Sequence, residues 1–459
     1  MTVTSVRKEL ISRLFGTGRQ APDRIRVGAP RPASAELDIT PHPDKAISQR
    51  ATLLAALADG TCRIHHLADC RDVRANLRAL ISLGVDVRPV GPAAVEITGR
   101  ALSEFRAADL TLDAGNSATT SRLLLAILAG SSARCTVTGN ELLRSRPMAE
   151  VIEPLRALGA DLTELQETGR LPVRIRGTAL SGGTVDVAVD SAQPVSALLF
   201  AGSQARGPVR VTRRAVARDH TERLLRWSGV EVAESESALV VSPGQPRAFD
   251  LQVPGDPSGA ALLAALHLAA PGSHQELTLR SVGANQRRTG CFSILRSMGA
   301  EIREVPLPTD GPEPVADFVV RAPGPLQGTE VAGARLVQSA IDELPLIAAL
   351  ATAATGRTVI RDASELRGKD TDRIATTIAL LRDFGAQAEA TADGLVVEPR
   401  LPRAPRRVLL PPDHRLVFAA FVLALLSGGE TELHGVGAAA TSHPGAVADL
   451  ARYVPVEAL

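Results

Sequence analysis

Apolar positions recur along this chain in a fixed order. A leucine-rich helical stretch ends in glycine and gives way to a short alternating strand. The pattern reads LRALISLGVDV at Leu77–Val87, PLRALGADL at Pro154–Leu162 and LLRWSGVEV at Leu224–Val232. It returns as ILRSMGAEI at Ile294–Ile302 and LLRDFGAQAEA at Leu380–Ala390. The glycines Gly84, Gly159, Gly229, Gly299 and Gly385 stand 75, 70, 70 and 86 residues apart. Each falls where a helix needs a left-handed terminal residue. Short strand-like runs lead into the helical stretches: CRIHHL, CTVTGN, VRVTRR, ELTLRS, RTVIRD and ETELHG. The repeating unit is therefore about 70 residues of mixed strand and helix, too long for a solenoid repeat. About six such units fit, which predicts an α/β fold divided into two globular halves of three. The turn formers of SPGQPRAFD mark the junction near Pro243–Asp250. Residues 1–36 are rich in arginine and proline and read as a flexible extension with one short helix near Val6–Phe15.

Composition narrows the function. The chain has 459 residues and a formal net charge of +1, so no overall basic field points to nucleic acid. Aromatic residues are only 2%, which removes the stacking platforms that single strands need. No apolar run reaches the roughly 18–20 residues of a membrane span. The start has no long apolar core of a secretory signal. Cys62, Cys70, Cys135 and Cys291 lack C-x-x-C spacing and read as small core residues. These features predict a cytoplasmic protein and argue against a zinc ribbon, an iron–sulfur site or a disulfide framework, with no cofactor expected. Only Lys8, Lys45 and Lys369 are lysines among 51 basic residues. Where arginine serves every general purpose, a lysine points to a need for a compact ammonium.

Cations gather where helices begin, although a helix N-terminus disfavours them. Lys45 and Arg50 open an Ala/Leu helix, and Arg122 follows the Gly-Asn-Ser-Ala-Thr-Thr-Ser turn at Gly115–Ser121. Arg144 and Arg146 precede Pro147; Arg367, Lys369 and Arg373 precede another helix; His414 and Arg415 follow Asp413. Each alone fits a solvated turn. Repeated in several units, they predict a shared polyanionic ligand bound by ammonium and guanidinium groups. Asp342, in the apolar run AIDELPLIAALA, is either an acid–base group or the N-cap of the next helix.

These turns, with Ser191–Gln193, Asp342–Pro345 and Lys369–Arg373, resemble the ordered motifs of the 5-enolpyruvylshikimate-3-phosphate (EPSP) synthase family across residues 38–455. The resemblance implies a two-domain inverse α/β barrel with six βαβαββ-like repeats, three per domain. It divides the chain into residues 45–247 and residues 37–44 plus 248–459, with the active site in the cleft between them. It also implies transfer of an enolpyruvyl group from phosphoenolpyruvate to a hydroxyl of a small anionic acceptor, by a monomer without metal. Phosphoenolpyruvate would meet Lys45, Asn116, Ala118, Arg146, Gln193, Arg373 and Arg415. The acceptor would meet Ala46, Arg50, Ser191, Ala192, Gln193, Ala217, Arg218, Asp342 and Lys369. Lys45, Asp342, Asp370 and His414 would carry the chemistry.

The chain also departs from the family pattern. Ala46, Ala192 and Ala217 stand where the family has serines, Asp370 where it has Glu, and Thr441 where it has a late Lys. A hydrogen bond lost to a charged group costs about 1.5–3 kcal/mol, so three lost hydroxyls weaken the grip on shikimate 3-phosphate. Three readings follow: a specialised paralogue whose acceptor is a nucleoside monophosphate such as UMP, an ordinary 3-phosphoshikimate 1-carboxyvinyltransferase, or a dehydratase-like relative that binds an anion without transfer. The sister enzyme acting on UDP-N-acetylglucosamine has a cysteine loop with no counterpart here.

Overall fold

The computed structural model describes residues 14, 22–31, 37–101, 104–105, 108–214, 217–271 and 273–459. Among these the chain forms two compact units. The first comprises residues 43–253 with Leu14 and Asp310–Pro312, and the second residues 22–42, 254–309 and 313–459.

Each unit holds three four-stranded sheets of one design. The first strand pairs parallel with the second, which pairs antiparallel with a third, which in turn carries an antiparallel edge strand. In the sheet built on Gly183–Val187, that order runs through Val209–Arg213 and Ala238–Val241 to Val232–Glu234. The same order holds around Ala108–Asp113, where Arg134–Thr138 and Val173–Arg176 follow. The sheets at the unit boundaries borrow strands from distant sequence. Asp250–Gln252 pairs parallel with Thr61–His65, and Leu37–Ile39 with Leu277–Gly283. The first unit therefore runs past the junction expected at Pro243–Asp250, because its opening sheet needs the strand at Asp250–Gln252.

The expected tail is corrected in the same way. Arg24–Val27 is a strand, paired antiparallel with Thr431–His434 on one side and Val456–Ala458 on the other. Its alternation hides Ile25 and Val27 completely. The helix expected near Val6–Phe15 lies outside the described residues, Leu14 excepted.

Gly84, Gly159, Gly229, Gly299 and Gly385 all have positive φ, between 72° and 94°. They end the helices as the repeat predicts. The core helices Pro257–Ala269 and His414–Ser427 are buried almost throughout. With few aromatics available, alanine lets these helices pack closely, and each buried Leu or Phe contributes about 1.5–3 kcal/mol. All four cysteines are free thiols in the cores. No helix among the described residues is long and apolar enough to cross a membrane.

Candidate active site

The buried helices that lead the repeats all begin at polar N-caps. In the first unit the caps are Asp44, Ser117 and Ser191, and each side chain accepts a hydrogen bond from a first-turn amide. In the second unit they are Asp256, Glu343 and Asp413. Several of the candidate residues, among them Lys45, Asn116, Ala118, Ala192, Gln193, Asp342, His414 and Arg415, lie at these six turns.

In the first unit, Lys45 is the first residue of the helix Lys45–Leu57, and its Nζ lies 3.2 Å from Asp72 Oδ2. Lys45 keeps 19% of its side chain exposed, whereas Asp72 keeps 8%. One turn on, Gln49 donates to Ser117 Oγ at 2.8 Å and Thr120 Oγ1 at 3.0 Å. These bonds tie the Lys45 helix to the turn that carries Asn116 and Ala118. Ala118 opens the helix Ala118–Ala129 and lies in the core, with its methyl almost fully covered.

Arg50 is buried. It donates through Nε to Thr221 Oγ1 at 2.8 Å, through Nη2 to Ser196 Oγ at 3.0 Å, and through Nη1 to the Ala46 carbonyl at 3.1 Å. It therefore locks three helices of its unit together. Arg122, noted in the sequence only as a first-turn cation, gathers three turns. It donates to Gln193 Oε1, to the Pro147 carbonyl at 2.8 Å and to Glu150 Oε1 at 2.6 Å. It thus positions Gln193, and with it Ser191 and Ala192, beside the Arg146–Pro147 turn. Arg146, Ala217 and Arg218 are half-buried.

The second unit holds a denser arrangement. Arg373, 3% exposed, donates to Asp413 through Nε at 2.8 Å and Nη2 at 3.2 Å, and to Asp342 through Nη1 at 2.9 Å. Asp370 Oδ2 lies 3.8 Å from the same guanidinium. Burial works against the charge on Arg373, but Asp413, Asp342 and Asp370 outweigh it and raise its pKa. Burial likewise opposes ionisation of Asp413, and Arg373 overcomes it, so that carboxyl titrates below its ordinary range. Arg415 reaches Asp342 at 3.5 Å and Glu343 at 3.1 Å. Glu343 also accepts from Ser258, which in turn accepts from Arg288 at 2.9 Å. Arg288 contacts the cap Asp256 at 3.3 Å. One continuous network runs from Asp256 to Asp370.

Asp342 is therefore no helix cap. The cap position belongs to Glu343, whose side chain makes no capping bond. Sequence reading passed over Glu343, Arg288 and Asp256; the signal was a carboxylate or arginine in otherwise apolar or turn sequence, repeated at equivalent points. Lys369 Nζ bonds Glu365 Oε1, and Glu365 Oε2 accepts from Gln338 at 2.8 Å. His414 Nδ1 lies 3.7 Å from Asp370 Oδ2. Asp370, Asp413 and His414 bring ligand-type atoms within 4.8 Å of one another. A cation there would have to displace Arg373 from Asp413.

Each unit offers fixed guanidinium groups, carboxylates paired with cations and one partly exposed ammonium, Lys45 in the first and Lys369 in the second. A family model described as EPSP synthase (3-phosphoshikimate 1-carboxyvinyltransferase) matches residues 29–450. The chain belongs to the EPSP synthase family. It is a phosphoenolpyruvate-dependent enolpyruvyl transferase of that type. A 3-phosphoshikimate 1-carboxyvinyltransferase of Herpetosiphon aurantiacus is 39% identical over 408 residues, spanning 87% of this chain and 93% of the relative. One from an Anaeromyxobacter species is 42% identical over 403 residues, spanning 88% and 90%. The EPSP synthase of Acinetobacter baumannii superposes with a TM-score of 0.83 at 30% identity, over 95% of this chain and 99% of that one. The enolpyruvyl transferase NikO from Streptomyces tendae superposes at 0.75 with 19% identity over the same shares, a likeness of fold alone. The EPSP synthase fold is the one expected from the repeats: small mixed sheets and helices, three sheets to a unit.

Proposed function

We propose that this EPSP synthase family member transfers the enolpyruvyl group of phosphoenolpyruvate to a hydroxyl of a small anionic acceptor, as a cytoplasmic monomer, and that shikimate 3-phosphate is the first acceptor to test. The observation that carries the reading is Asp342, held between Arg373 and Arg415 with Asp413 behind them. A carboxylate so oriented suits proton removal from an attacking hydroxyl, and the two guanidinium groups suit the phosphate and carboxylate of the donor.

The acceptor oxygen bonds to C2 of the donor while Asp370 delivers a proton to C3. Lys45 offsets charge at the reacting centre, with Asn116, Arg146 and Gln193 binding the donor. Asp370 then takes a proton back from C3 as the C2–O bond to phosphate breaks, which restores the double bond and releases inorganic phosphate, while Asp342 holds the proton of the attacking hydroxyl. Arg50, Ser191, Arg218 and Lys369 serve the acceptor.

Identities near 40% with 3-phosphoshikimate 1-carboxyvinyltransferases support shikimate 3-phosphate. A second reading, a nucleoside monophosphate, draws on Ala46, Ala192 and Ala217, whose methyl groups leave room where the family pattern has serine hydroxyls. The test is phosphate release from phosphoenolpyruvate with shikimate 3-phosphate, shikimate and UMP in turn. A kcat/KM for shikimate 3-phosphate at or above about 10⁴ M⁻¹s⁻¹ settles the first reading. A rate confined to UMP settles the second, and no release with any acceptor defeats both.

A further inference from the structure

We propose that His443, held by Asp449, binds a carboxylate oxygen of the enolpyruvyl donor beside Arg415. This rests on the reading that the Arg415 cluster receives phosphoenolpyruvate. His443 belongs to the segment Thr441-Ser442-His443-Pro444, between the short helices Val436–Thr441 and Ala446–Leu450. It is 5% exposed, and its Nε2 lies 2.6 Å from Asp449 Oδ2.

Its other ring nitrogen, Nδ1, is buried with no hydrogen-bond partner among the described residues. A buried polar atom left in that state calls for an explanation. With Nε2–H committed to Asp449, the neutral ring turns a lone pair toward that space and the charged ring turns an N–H toward it. An N–H without an acceptor suits an oxygen.

The surroundings say which oxygen. A methyl group at Gly259 would lie 3.8 Å from Nδ1, so the nitrogen faces the first turn of the helix Pro257–Ala269 across space that glycine leaves open. Anions are favoured at such a helix start. One phenyl ring, Phe418, gathers three groups able to carry positive charge. His443 meets it edge-on at 6.2 Å, His414 edge-on at 6.0 Å, and the Arg415 guanidinium lies over it at 5.8 Å. His42 stands edge-on to His443 at 5.1 Å. The negative groups near His443 are Asp449, itself contacted by Arg452 at 3.4 Å, and Asp256 at the helix start, contacted by Arg288. The site therefore suits a small carboxylate, and the donor supplies one.

The experiment measures KM for phosphoenolpyruvate and kcat from pH 6 to pH 9 in the full-length protein and in His443→Phe and His443→Gln. In the wild type, KM rises as histidine loses its proton. His443→Phe raises KM at pH 6 about tenfold, more than it lowers kcat, and flattens the pH dependence. His443→Gln keeps a donor at every pH, so its KM rises less and is also flat. Asp449→Asn, a smaller perturbation of the fold, loosens the hold on the ring and raises KM less than His443→Phe does. A folded His443→Phe protein with wild-type KM and pH profile overturns the inference and makes His443 a packing residue. Calorimetric titration with phosphoenolpyruvate separates the two levels: no binding to the wild type removes the donor-site reading itself, and binding indifferent to His443 removes only this proposal.

Discussion

The two units build the same helix starts from different chemistry. In the second, all three caps are carboxylates, and each meets a buried arginine: Asp256 with Arg288, Glu343 with Arg415 and Asp413 with Arg373. In the first, two of the three caps are Ser117 and Ser191, and Arg50 rests on the neutral oxygens of Thr221 and Ser196, although Arg122 meets Glu150 and Arg213 meets Glu234. The second arrangement is costly to disturb, since removing one partner strands a buried charge. The first can lose a hydroxyl and keep its fold. All three alanines that replace family serines fall in the first unit.

Breaking the second unit's network gives the largest expected effect. Arg373→Ala leaves Asp413 and Asp342 without their main cation, so turnover vanishes and the protein loses about 3–5 kcal/mol. Urea unfolding checks this, and an unshifted midpoint would contradict the contrast between the units.

Lys45→Ala in the first unit is the cleaner probe. Lys45 is partly exposed, so turnover falls by about 10²–10³ while stability changes by less than about 1 kcal/mol. Near-normal phosphate release in that variant would remove Lys45 from the chemistry.

Restoring serine at Ala46, Ala192 and Ala217 together sharpens the comparison. Use of shikimate 3-phosphate should rise at least about tenfold in kcat/KM, because each charge-assisted hydrogen bond is worth about 1.5–3 kcal/mol. A triple variant no better than wild type would show that the three methyl groups do not set acceptor choice.

The smallest effect concerns Glu222, buried in the first unit 3.7 Å from Arg213. Burial pushes its carboxyl up to about 7, with Asp219 adding to the shift and Arg213 and Arg50 opposing it. The folded state holds this proton more tightly than the unfolded chain, so stability falls as pH rises from about 4.5 to 7 and is level above. Glu222→Gln should remove that fall and gain about 1–3 kcal/mol at pH 8. Thermal melts at pH 5 and pH 8 read it directly. An equal loss at both values would mean that the residue is held ionised.

The repeat was legible because five glycines at positive φ and six β-rich runs report local geometry. The helix-start cations were legible because arginine there opposes the helix dipole. Less could be seen of what those cations touch. The partners of Arg373 were hidden because its carboxylates lie 31 and 40 positions away, at Asp342 and Asp413. Asp342 looked like a cap because nothing local tells a capping carboxylate from its neighbour, and Glu343 holds that position. The strand at Arg24–Val27 was lost in a proline- and arginine-rich stretch of only four residues. Its partners stand more than 400 positions on, beyond any periodicity.

That strand bears on how the protein is made. The first unit closes its sheets once residue 253 has emerged from the ribosome, since every strand it uses has then been synthesised. The second unit starts earlier and finishes last. Arg24–Val27 and Leu37–Ile39 appear before any of the first unit's repeats, and Arg24–Val27 cannot be flanked on both sides until Val456–Ala458 has been translated. For nearly the whole of synthesis this β-forming segment has open edges and waits beside a folded neighbour. A bulky group inserted immediately before Arg24 acts on that last closing step and slows maturation of the second unit.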